Sequence, residues 1–290
     1  MTIDLHAHSS VSDGTASPAE LVREAAAAGL DVVALTDHDT TAGWDEATAA
    51  AEEAGVGLVR GIEISTRFRG APVHLLAYLP DADDAALQAE LGRIVEGREA
   101  RVPSMLARLR ELGIPATEEA LAEVSPGNQV TGRPHVADLL VRLGAVRSRN
   151  EAFARYLADG GPAYVDRYAA DLVEMIGLVT AARGVSVVAH PWGRGSASVL
   201  DEAGFAVLAE AGLGGIEVDH LDHDRTERGQ LRGIASRLRL IVTGASDHHG
   251  TGKTGHELGC ETTSRGELQR LLERAAALGS PTGLVGEVRR

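Results

Sequence analysis

Two histidines separated by one residue lie near the start of the chain, in His6-Ala7-His8. If this segment is a strand, both side chains point to the same face, because side chains alternate along a strand. Two neighbouring imidazoles can then chelate one metal ion. Two surface histidines beside a frayed terminus would give the same motif, so the motif alone does not decide.

Other titratable residues follow apolar runs or lie within them. Asp37 and His38 come directly after an apolar run, where their density favours a site over a solvated loop. Glu63 is flanked by two isoleucines, and a buried carboxylate needs a partner because a lone buried charge is costly. His74 lies in an apolar run, where a hydrogen-bonded core histidine is the alternative to a metal ligand. Each of these residues alone is ambiguous.

Four more candidates complete the set. His190 ends an apolar run, and Asp247 and His249 follow the last one. Asp13 precedes a glycine, which by itself is typical of a turn. Imidazole and carboxylate groups without cysteine are the ligands of a Mn²⁺, Zn²⁺ or Fe²⁺ site rather than of a structural zinc site. The predicted metal centre has these candidate ligands: His6, His8, Asp13, His38, Glu63, His74, His190, Asp247 and His249.

The elements that position these residues are predicted from alternating strand and helix patterns. The helical patterns have clear boundaries, such as the capping box formed by Ser17 and Glu20. Such alternation predicts parallel βα units, and in a barrel of parallel strands the carboxyl ends share the face that carries the site. Residues far apart in the sequence would therefore meet at one end of an α/β barrel. The predicted strands are 2–8, 31–36, 57–65, 73–79, 185–190, 215–219 and 239–244.

Residues 92–165 interrupt this alternation. The segment has a helical pattern throughout, with several prolines and no strong strand pattern. We predict that 92–165 is an inserted helical subdomain and that 1–91 and 166–290 form the barrel. Residues 91–167 contain eleven arginines against ten acidic residues, whereas the whole chain has a net charge of −14. The inserted segment therefore differs from the rest of the chain in charge as well as in pattern.

Composition narrows the functional classes. A net charge of −14 argues against binding of duplex DNA, which needs a basic surface. Cys260 is the only cysteine, so no intrachain disulfide is possible, and we expect a packing role for it and a reducing, cytoplasmic location for the protein. No signal peptide and no apolar run long enough to span a bilayer is evident. We expect a monomer or a small homo-oligomer.

The order of these motifs over almost the whole chain resembles the PHP (polymerase and histidinol phosphatase) superfamily. Within it, the chain resembles the branch of nucleoside 3′,5′-bisphosphate phosphatases and related 5′-to-3′ exoribonucleases of the RNase AM type, which has an insertion at the corresponding place. The motifs are His6-x-His8, Ser12-Asp13-Gly14, Leu35-Thr36-Asp37-His38-Asp39, Gly61-Ile62-Glu63, Val73-His74, Ala189-His190-Pro191 and Ser246-Asp247-x-His249.

The resemblance implies a distorted, TIM-like (β/α)7 barrel that binds up to three divalent ions, with Mn²⁺ preferred and Zn²⁺ or Fe²⁺ as alternatives. Glu63 and Asp247 would be catalytic as ligands that help to activate water, and Glu63 would bridge two ions. The implied ligands are His6, His8, Glu63 and Asp247 for the first ion, Asp13, His38 and His249 for the second, and Glu63, His74 and His190 for the third.

Four residues outside the ligand set are candidates for substrate contacts. Arg133 and His135 lie in segment 131–135, which resembles the segment that the branch places near the substrate phosphate. Arginine forms a planar fork suited to phosphate oxygens, but the alternative is that both residues only cap the following helix. Lys253 is a further candidate phosphate contact, and His223 either contacts the substrate or supports a ligand. The roles of three more histidines stay open: His220, His248 and His256.

The expected reaction is hydrolysis of a phosphomonoester or of a terminal phosphodiester. Metal-bound water or hydroxide would be the nucleophile, because coordination lowers the pKa of water from about 15.7 to about 7. The resemblance implies a nucleoside 3′,5′-bisphosphate such as pAp, or short 5′-phosphorylated RNA, as the substrate. One rival is a phosphatase for another small phosphomonoester, such as histidinol phosphate, and the insertion argues against it. The other is a metal-free scaffold that binds partners, and the complete ligand set argues against that.

Overall fold

Seven strands follow one another around a nearly closed barrel in the computed structural model, which describes residues 1–124, 131–193 and 196–286. An additional short strand, β5, pairs with β3 outside this path. The predicted α/β barrel is therefore confirmed. Within the described residues the strands are β1 (Ile3–Asp4), β2 (Val32–Leu35), β3 (Gly57–Phe68), β4 (Ala71–Tyr78), β5 (Ala170–Asp171), β6 (Val185–Val188), β7 (Gly215–Asp219) and β8 (Ile241–Gly244).

Helices connect most of the strands and surround the barrel. Ser17 and Glu20 cap the first helix reciprocally, as the sequence predicts. A π-helical turn (Phe153–Leu157) and a 3₁₀ turn (Gly250–Gly252) also occur. In the described part of the chain the α-helices are α1 (Pro18–Ala27), α2 (Trp44–Ala54), α3 (Ala85–Ala100), α4 (Val102–Glu111), α5 (Glu118–Val124), α6 (Arg133–Arg142), α7 (Arg149–Ala152), α8 (Leu172–Ala181), α9 (Glu202–Glu210), α10 (Arg225–Leu238) and α11 (Arg265–Ala277).

Strand β4 runs antiparallel to both of its neighbours, β3 and β6. Only Arg69 and Gly70 separate β3 from β4, and both have positive φ angles, of 49° and 84°. A two-residue turn joins antiparallel strands, whereas parallel strands need a long crossover. The expectation of uniformly parallel units is therefore wrong at β4. Because β4 is reversed, His74 near its beginning pairs with Ser65 near the end of β3, at the carboxyl end of the parallel strands.

The barrel closes between its first and last strands at the same end. A parallel bridge joins Ala7 to His248, and the main-chain N–H of His8 donates to the carbonyl of His248 over 2.8 Å. The segments that follow β1 and β8 therefore lie side by side. Closure in this way brings the His6-x-His8 motif against the Asp247-x-His249 motif.

The hydrophobic core has three parts. The largest lies between the barrel and its helices, and a second fills the barrel interior around Tyr78, whose hydroxyl donates to the carbonyl of Leu5 over 2.8 Å. A third cluster joins side chains from Val102 to Val165, separately from the other two. Burial of each Leu or Met in such a cluster contributes about 1.5–3 kcal/mol to folding.

Helix α3 crosses residue 92, the predicted start of the insertion. It contributes Leu87, Leu91 and Ile94, on both sides of residue 92, to the main core, whereas the separate cluster begins after its end. The division into 1–91, 92–165 and 166–290 remains a prediction. No helix in the described ranges has both the length and the apolar character needed to cross a bilayer.

Candidate metal centre

All nine predicted ligands converge at the end of the barrel where β1 and β8 close. Eight of them are buried, and His74 is partly buried. The carboxylates of Glu63, Asp13 and Asp247 contact the imidazoles of the other ligands. Residues that are up to 243 positions apart in the sequence therefore form one cluster.

Glu63 lies at the centre of this cluster. Its Oε1 lies 2.6 Å from His74 Nδ1 and 3.0 Å from His190 Nε2, and its Oε2 lies 3.2 Å from His8 Nε2 and 3.1 Å from His38 Nδ1. Burial raises the pKa of this carboxyl, but the surrounding imidazoles, that of His74 foremost, bring it well below its usual range. His6 Nε2 also lies 3.4 Å from Oε2. The two carboxylate oxygens therefore face different sets of rings, as those of a carboxylate shared between two ions would.

His6, His8, Glu63 and Asp247 form the first group of potential ligand atoms, which all lie within 4.8 Å of one another. The Nε2 atoms of His6 and His8 are only 3.1 Å apart, and each lies 3.4 Å from Asp247 Oδ1. That oxygen is buried and accepts no hydrogen bond within the described residues. A buried acceptor without a partner is costly, so a cation between these atoms would relieve it.

Glu217, in β7, controls the orientation of two of these histidines. Its Oε1 accepts a hydrogen bond from His6 Nδ1 over 2.9 Å, and its Oε2 accepts one from the main-chain N–H of His190 over 2.8 Å. Because His6 Nδ1 carries the proton, the Nε2 of the neutral ring has a free lone pair directed at the first group. This is the tautomer that a metal ion binds, and carboxylates commonly hold it in metal centres.

His8, Asp13, His38 and His249 form the second group. His249 Nδ1 donates to the main-chain carbonyl of Asp247 over 2.9 Å, which leaves Nε2 with a lone pair 3.3 Å from Asp13 Oδ1. His38 Nε2 lies 3.6 Å from the other oxygen of Asp13. A lone pair that faces a carboxylate oxygen repels it unless a cation lies between them.

The loop that carries Asp13 is held by Asp37. The carboxylate of Asp37 accepts hydrogen bonds from the main-chain N–H and hydroxyl of Ser9, over 2.8 and 2.6 Å, and from the hydroxyl of Ser12 over 2.6 Å. Gly14 is required there, because a Cβ would lie 2.3 Å from the carbonyl oxygen of His8. Asp37 therefore supports the loop, while its neighbour His38 joins the ligand cluster.

His38, Glu63 and His74 form the third group, and the predicted ligand His190 adjoins it through Glu63, whose Oε1 lies 3.0 Å from His190 Nε2. The main chain is strained at two of the candidate ligands. His190 has a φ angle of 25° and Asp247 one of 52°. Such conformations cost on the order of 1–3 kcal/mol each, and they concentrate at functional sites.

The second oxygen of Asp247 is held by the protein itself. It accepts a hydrogen bond from Lys253 and lies 3.5 Å from His220 Nε2. The main-chain N–H of Asp222 donates to His220 Nδ1 over 3.1 Å, so the proton of the neutral ring is on Nε2. His220 Nε2 therefore directs its N–H towards Asp247 without forming a hydrogen bond, an arrangement that disfavours metal binding by this nitrogen, although His220, Asp247 and His256 lie close enough to hold an ion.

The remaining two histidines of this region bond to the main chain. His256 Nδ1 donates to the carbonyl of Ser246 over 2.6 Å, and His248 Nδ1 donates to the carbonyl of His256 over 2.7 Å. Both therefore connect the loop after β8 to the segment around residue 256.

A cavity of about 650 Å³ opens above the cluster. Its floor contains candidate ligands of the second and third groups, and seven cationic side chains contribute to the rest of its wall. The ligands that line it are Asp13, His38, His74, His190 and His249. The cations that line it are Arg67, Arg98, Arg101, Arg133, Arg149, Arg167 and Lys253.

Several arginines of the cavity wall lie close to one another. Arg98 bonds to Asp39 and Ser65. Arg101 is 6% exposed, and its Nε has no hydrogen-bond partner among the described residues. Burial and the adjacent arginines, Arg167 first, lower the pKa of Arg101 to about 9. Arg101 and Arg167, whose pKa values are both lowered by burial and by neighbouring arginines, are therefore the part of this wall best suited to an anion.

Of the four predicted substrate contacts, two line the cavity and two lie away from its wall. Arg133 and Lys253 line the cavity, and the Arg133 guanidinium lies between the rings of Phe153 and Tyr164, 5.7 and 5.6 Å from their centroids. His135 lies off the cavity wall, where its Nδ1 accepts the N–H of Gly132 over 3.0 Å at the start of α6.

His223 also lies off the wall. Its Nδ1 donates to the carbonyl of Val218 over 2.9 Å, and its Nε2 accepts the N–H of Trp192 over 3.2 Å. Of the two alternatives that the sequence leaves for His135, the geometry favours helix capping. For His223 it favours support of the loop after His190.

An α/β barrel with imidazoles and carboxylates clustered at one end, below a cationic cavity, defines a metal-dependent hydrolase that acts on anions. Residues 4–96 match the model of the PHP domain. The chain is 35% identical over 257 residues to a 3′,5′-nucleoside bisphosphate phosphatase of Chromobacterium violaceum, which covers 89% of this chain and 90% of that protein. It is 41% identical over 188 residues to a 5′-3′ exoribonuclease of Haemophilus influenzae, covering 65% and 68%.

A crystal structure from Bifidobacterium adolescentis, described as a predicted metal-dependent phosphoesterase, superposes with a TM-score of 0.89 at 37% identity, covering 94% of this chain and 96% of that one. The chain belongs to the PHP family. It is a metal-dependent phosphoester hydrolase, as the motifs predict, and it binds divalent metal. The identity of the metal remains a prediction.

Sequence reasoning did not assign roles to several residues of this site. Glu217 lies within β7, as Glu63 lies within β3, and only the distance to His6 shows its role. Arg98, Arg101 and Arg167 belong to the arginine-rich segment, but their types alone did not separate them from surface arginines. The near-neutral charge of that segment, in a chain with a net charge of −14, was the available signal.

Proposed function

We propose that this enzyme removes the 3′-phosphate from nucleoside 3′,5′-bisphosphates such as pAp. The observation that carries the proposal is a cavity with two anion-binding regions, the ligand cluster at its floor and the arginines on its wall. A bisphosphate has one phosphate for each region. The similarity to the bisphosphate phosphatase of Chromobacterium violaceum supports this choice.

The nine clustered residues would hold up to three divalent ions, with Mn²⁺ expected. When bound, such ions activate water and neutralise the charge of the phosphoryl oxygens. The chain itself fixes the geometry: Glu217 sets the tautomer of His6, and the carbonyl of Asp247 sets that of His249. Glu63 offers one oxygen to each of two groups of rings, so we assign it the bridging role.

The arginines would bind the phosphate that is not hydrolysed. A guanidinium binds phosphate through two parallel hydrogen bonds, and its charge is not lost at neutral pH. Arg101 and Arg167 have their pKa values lowered, to about 9 and about 10, by burial and by neighbouring arginines. A dianionic phosphate would relieve this mutual repulsion. The 5′-phosphate would therefore be both an anchor and a source of selectivity.

Trimming of short 5′-phosphorylated RNA is a second candidate for the same site. The Haemophilus influenzae exoribonuclease at 41% identity favours it. The arginines would hold the 5′-phosphate of the RNA as they hold that of pAp, and the bond to be cleaved is again the phosphoester at the 3′ side of the first nucleotide. A histidinol-phosphate phosphatase fits less well, because arginines would repel the ammonium group of that substrate.

The test is a comparison of kcat/KM for pAp, 3′-AMP and a short 5′-phosphorylated RNA with Mn²⁺-loaded enzyme. The 3′-AMP substrate keeps the reacting phosphate and lacks only the second one. We expect pAp to exceed 3′-AMP by at least tenfold, and the RNA to be cleaved only when its 5′-phosphate is present. Equal values for pAp and 3′-AMP would refute the proposal and leave a phosphatase without this preference.

A further inference from the structure

The guanidinium of Arg149, at the start of α7, contacts three separate parts of the chain. Its Nε and Nη2 donate to the two oxygens of Asp138 in α6, each over 2.6 Å. Its Nη1 donates to the main-chain carbonyl of Asp13 over 3.2 Å and to that of Gly252 over 3.4 Å. Arg149 and Asp138 both belong to the arginine-rich helical segment. The side chain therefore connects this segment to two loops at the end of the barrel.

Both loops carry candidate ligands of the second group. One contains Asp13 itself, and the other contains His249, three residues before Gly252. The loops also bond directly to each other, since the N–H of Thr251 donates to the hydroxyl of Thr15 over 3.0 Å. The distance of 3.3 Å between Asp13 Oδ1 and His249 Nε2 therefore depends on how this junction is held.

The junction leaves space for the guanidinium and for little else. A Cβ on Gly252 would lie 2.4 Å from Arg149 Nη1, so a side chain at that position would displace the arginine. The Arg149 side chain is only 16% exposed, and a charge at that depth needs its partners. The paired bonds to Asp138 satisfy the charge and fix the plane of the guanidinium.

From these contacts we propose that Arg149 is a positioning residue for the second group of ligands. By bonding to the carbonyl of Asp13 and not to its carboxylate, it holds the loop and leaves both carboxylate oxygens for a metal ion. The affinity of the barrel for that ion then depends on the helical segment. This inference rests on the assignment of Asp13 and His249 as metal ligands under the proposed function, but not on the identity of the substrate.

The experiment measures Mn²⁺ binding to the full chain, as the number of ions and their dissociation constants from an electron paramagnetic resonance titration. Arg149→Met and Gly252→Ala should each weaken one ion at least ~10-fold and leave the others unchanged, the lower range for loss of a supporting contact. Asp13→Asn should affect the same ion. Arg155→Met is the matched control, because Arg155 is a half-exposed arginine of the same segment that bonds to Glu151.

The double variant Arg149→Met/Gly252→Ala should weaken this ion little more than Arg149→Met alone, because both changes break one contact. Wild-type affinity for every ion in a folded Arg149→Met protein would overturn the inference. If Arg149→Met does not fold, Gly252→Ala decides, since it moves the guanidinium without deleting it. Binding is read without any substrate, so the pAp preference stands or fails separately from this result.

Discussion

Replacement of Arg101 by Met should separate recognition of the second phosphate from hydrolysis of the first. Arg101 lies in the cavity wall, is 6% exposed, and has an Nε without a hydrogen-bond partner among the described residues. Arg133, by contrast, already pairs with Asp159 over 2.7 Å and bonds to the carbonyl of Leu157. The group with an unused donor gains more from a phosphate, so Arg101 should matter more than Arg133.

The magnitude follows from the kind of bond that is lost. A hydrogen bond to a charged group contributes about 1.5–3 kcal/mol, and about 1.4 kcal/mol corresponds to a factor of ten. Arg101→Met should therefore lower kcat/KM for pAp about 10- to 150-fold. The loss should occur in KM, because the phosphate that is not hydrolysed is bound equally in the ground state and the transition state. For 3′-AMP, kcat/KM should change less than threefold.

The assay is phosphate release from pAp and 3′-AMP by wild type, Arg101→Met and Arg133→Met, with Arg142→Met as a control on the exposed face of α6. Arg101→Met should not lower the thermal midpoint, because it removes a buried charge from a group of like charges. Equal losses for the two substrates would mean that Arg101 serves the reacting phosphate or the fold. An unchanged KM for pAp would refute the assignment of this wall to the second phosphate.

Four further outcomes are expected. Elemental analysis after reconstitution with excess Mn²⁺ should give up to three ions per chain, and one or fewer would refute the trinuclear centre. Glu63→Gln should lower turnover at least ~100-fold with an unchanged circular dichroism spectrum, since it removes the shared charge; near-normal turnover would contradict the bridging role. Glu217→Gln should weaken metal binding ~10- to 100-fold, because the amide can present its N–H to His6; unchanged affinity would contradict the tautomer argument. Burial lowers the pKa of His8, but the neighbouring carboxylates of Asp247 and Glu63 raise it to about 9. Metal-free protein should therefore lose stability from about pH 6.5 to 9 and metal-loaded protein should not, as denaturant titrations at several pH values would show.

The sign of the pH effect follows from the direction of the shift. His8 binds its proton more tightly in the folded, metal-free protein than in the unfolded chain, so that contribution to stability is complete below pH about 6.5 and disappears as pH rises through about 9. Metal ions take the place of that proton. A metal-free protein with constant stability over this range would mean that the imidazole is not protonated between the carboxylates.

The sequence was sufficient to predict the barrel and the clustering of the nine residues. Short apolar runs indicate the strands, and most of the polar residues lie at the ends of these runs. His74 shows the limit of that reasoning. His74 joins the cluster because β4 runs antiparallel to β3 and β6. The beginning of β4 therefore lies beside the ends of these two strands. The order of strands and helices along the chain does not show in which direction a strand runs. The two-residue connection between β3 and β4 was a local signal for an antiparallel pair.

The supporting residues were harder to predict, for a physical reason. Glu217 and Glu63 are both carboxylates within apolar strands, yet one bonds to a ring nitrogen and the other lies among five imidazoles. Their difference depends on distances of a few tenths of an ångström in the folded chain. His135 was undecided between two roles in the sequence, and its bond to Gly132 favours the capping role in the structure.

The division of the site between two parts of the chain suggests how such an enzyme changes its substrate. Every candidate metal ligand comes from 1–91 or 166–290, whereas Arg98, Arg101, Arg133 and Arg149 come from 92–165. Substitutions among these arginines alter the charge that faces the second phosphate, and two of them also contact a loop with a ligand. Arg149 bonds to the carbonyl of Asp13, and Arg98 bonds to Asp39, the neighbour of His38. Apart from these two contacts, the barrel can keep its hydrolytic centre while the helical segment changes, because the ligands are packed and hydrogen-bonded within the barrel itself. Selectivity is then set mainly by the charges on the cavity wall, which change one residue at a time.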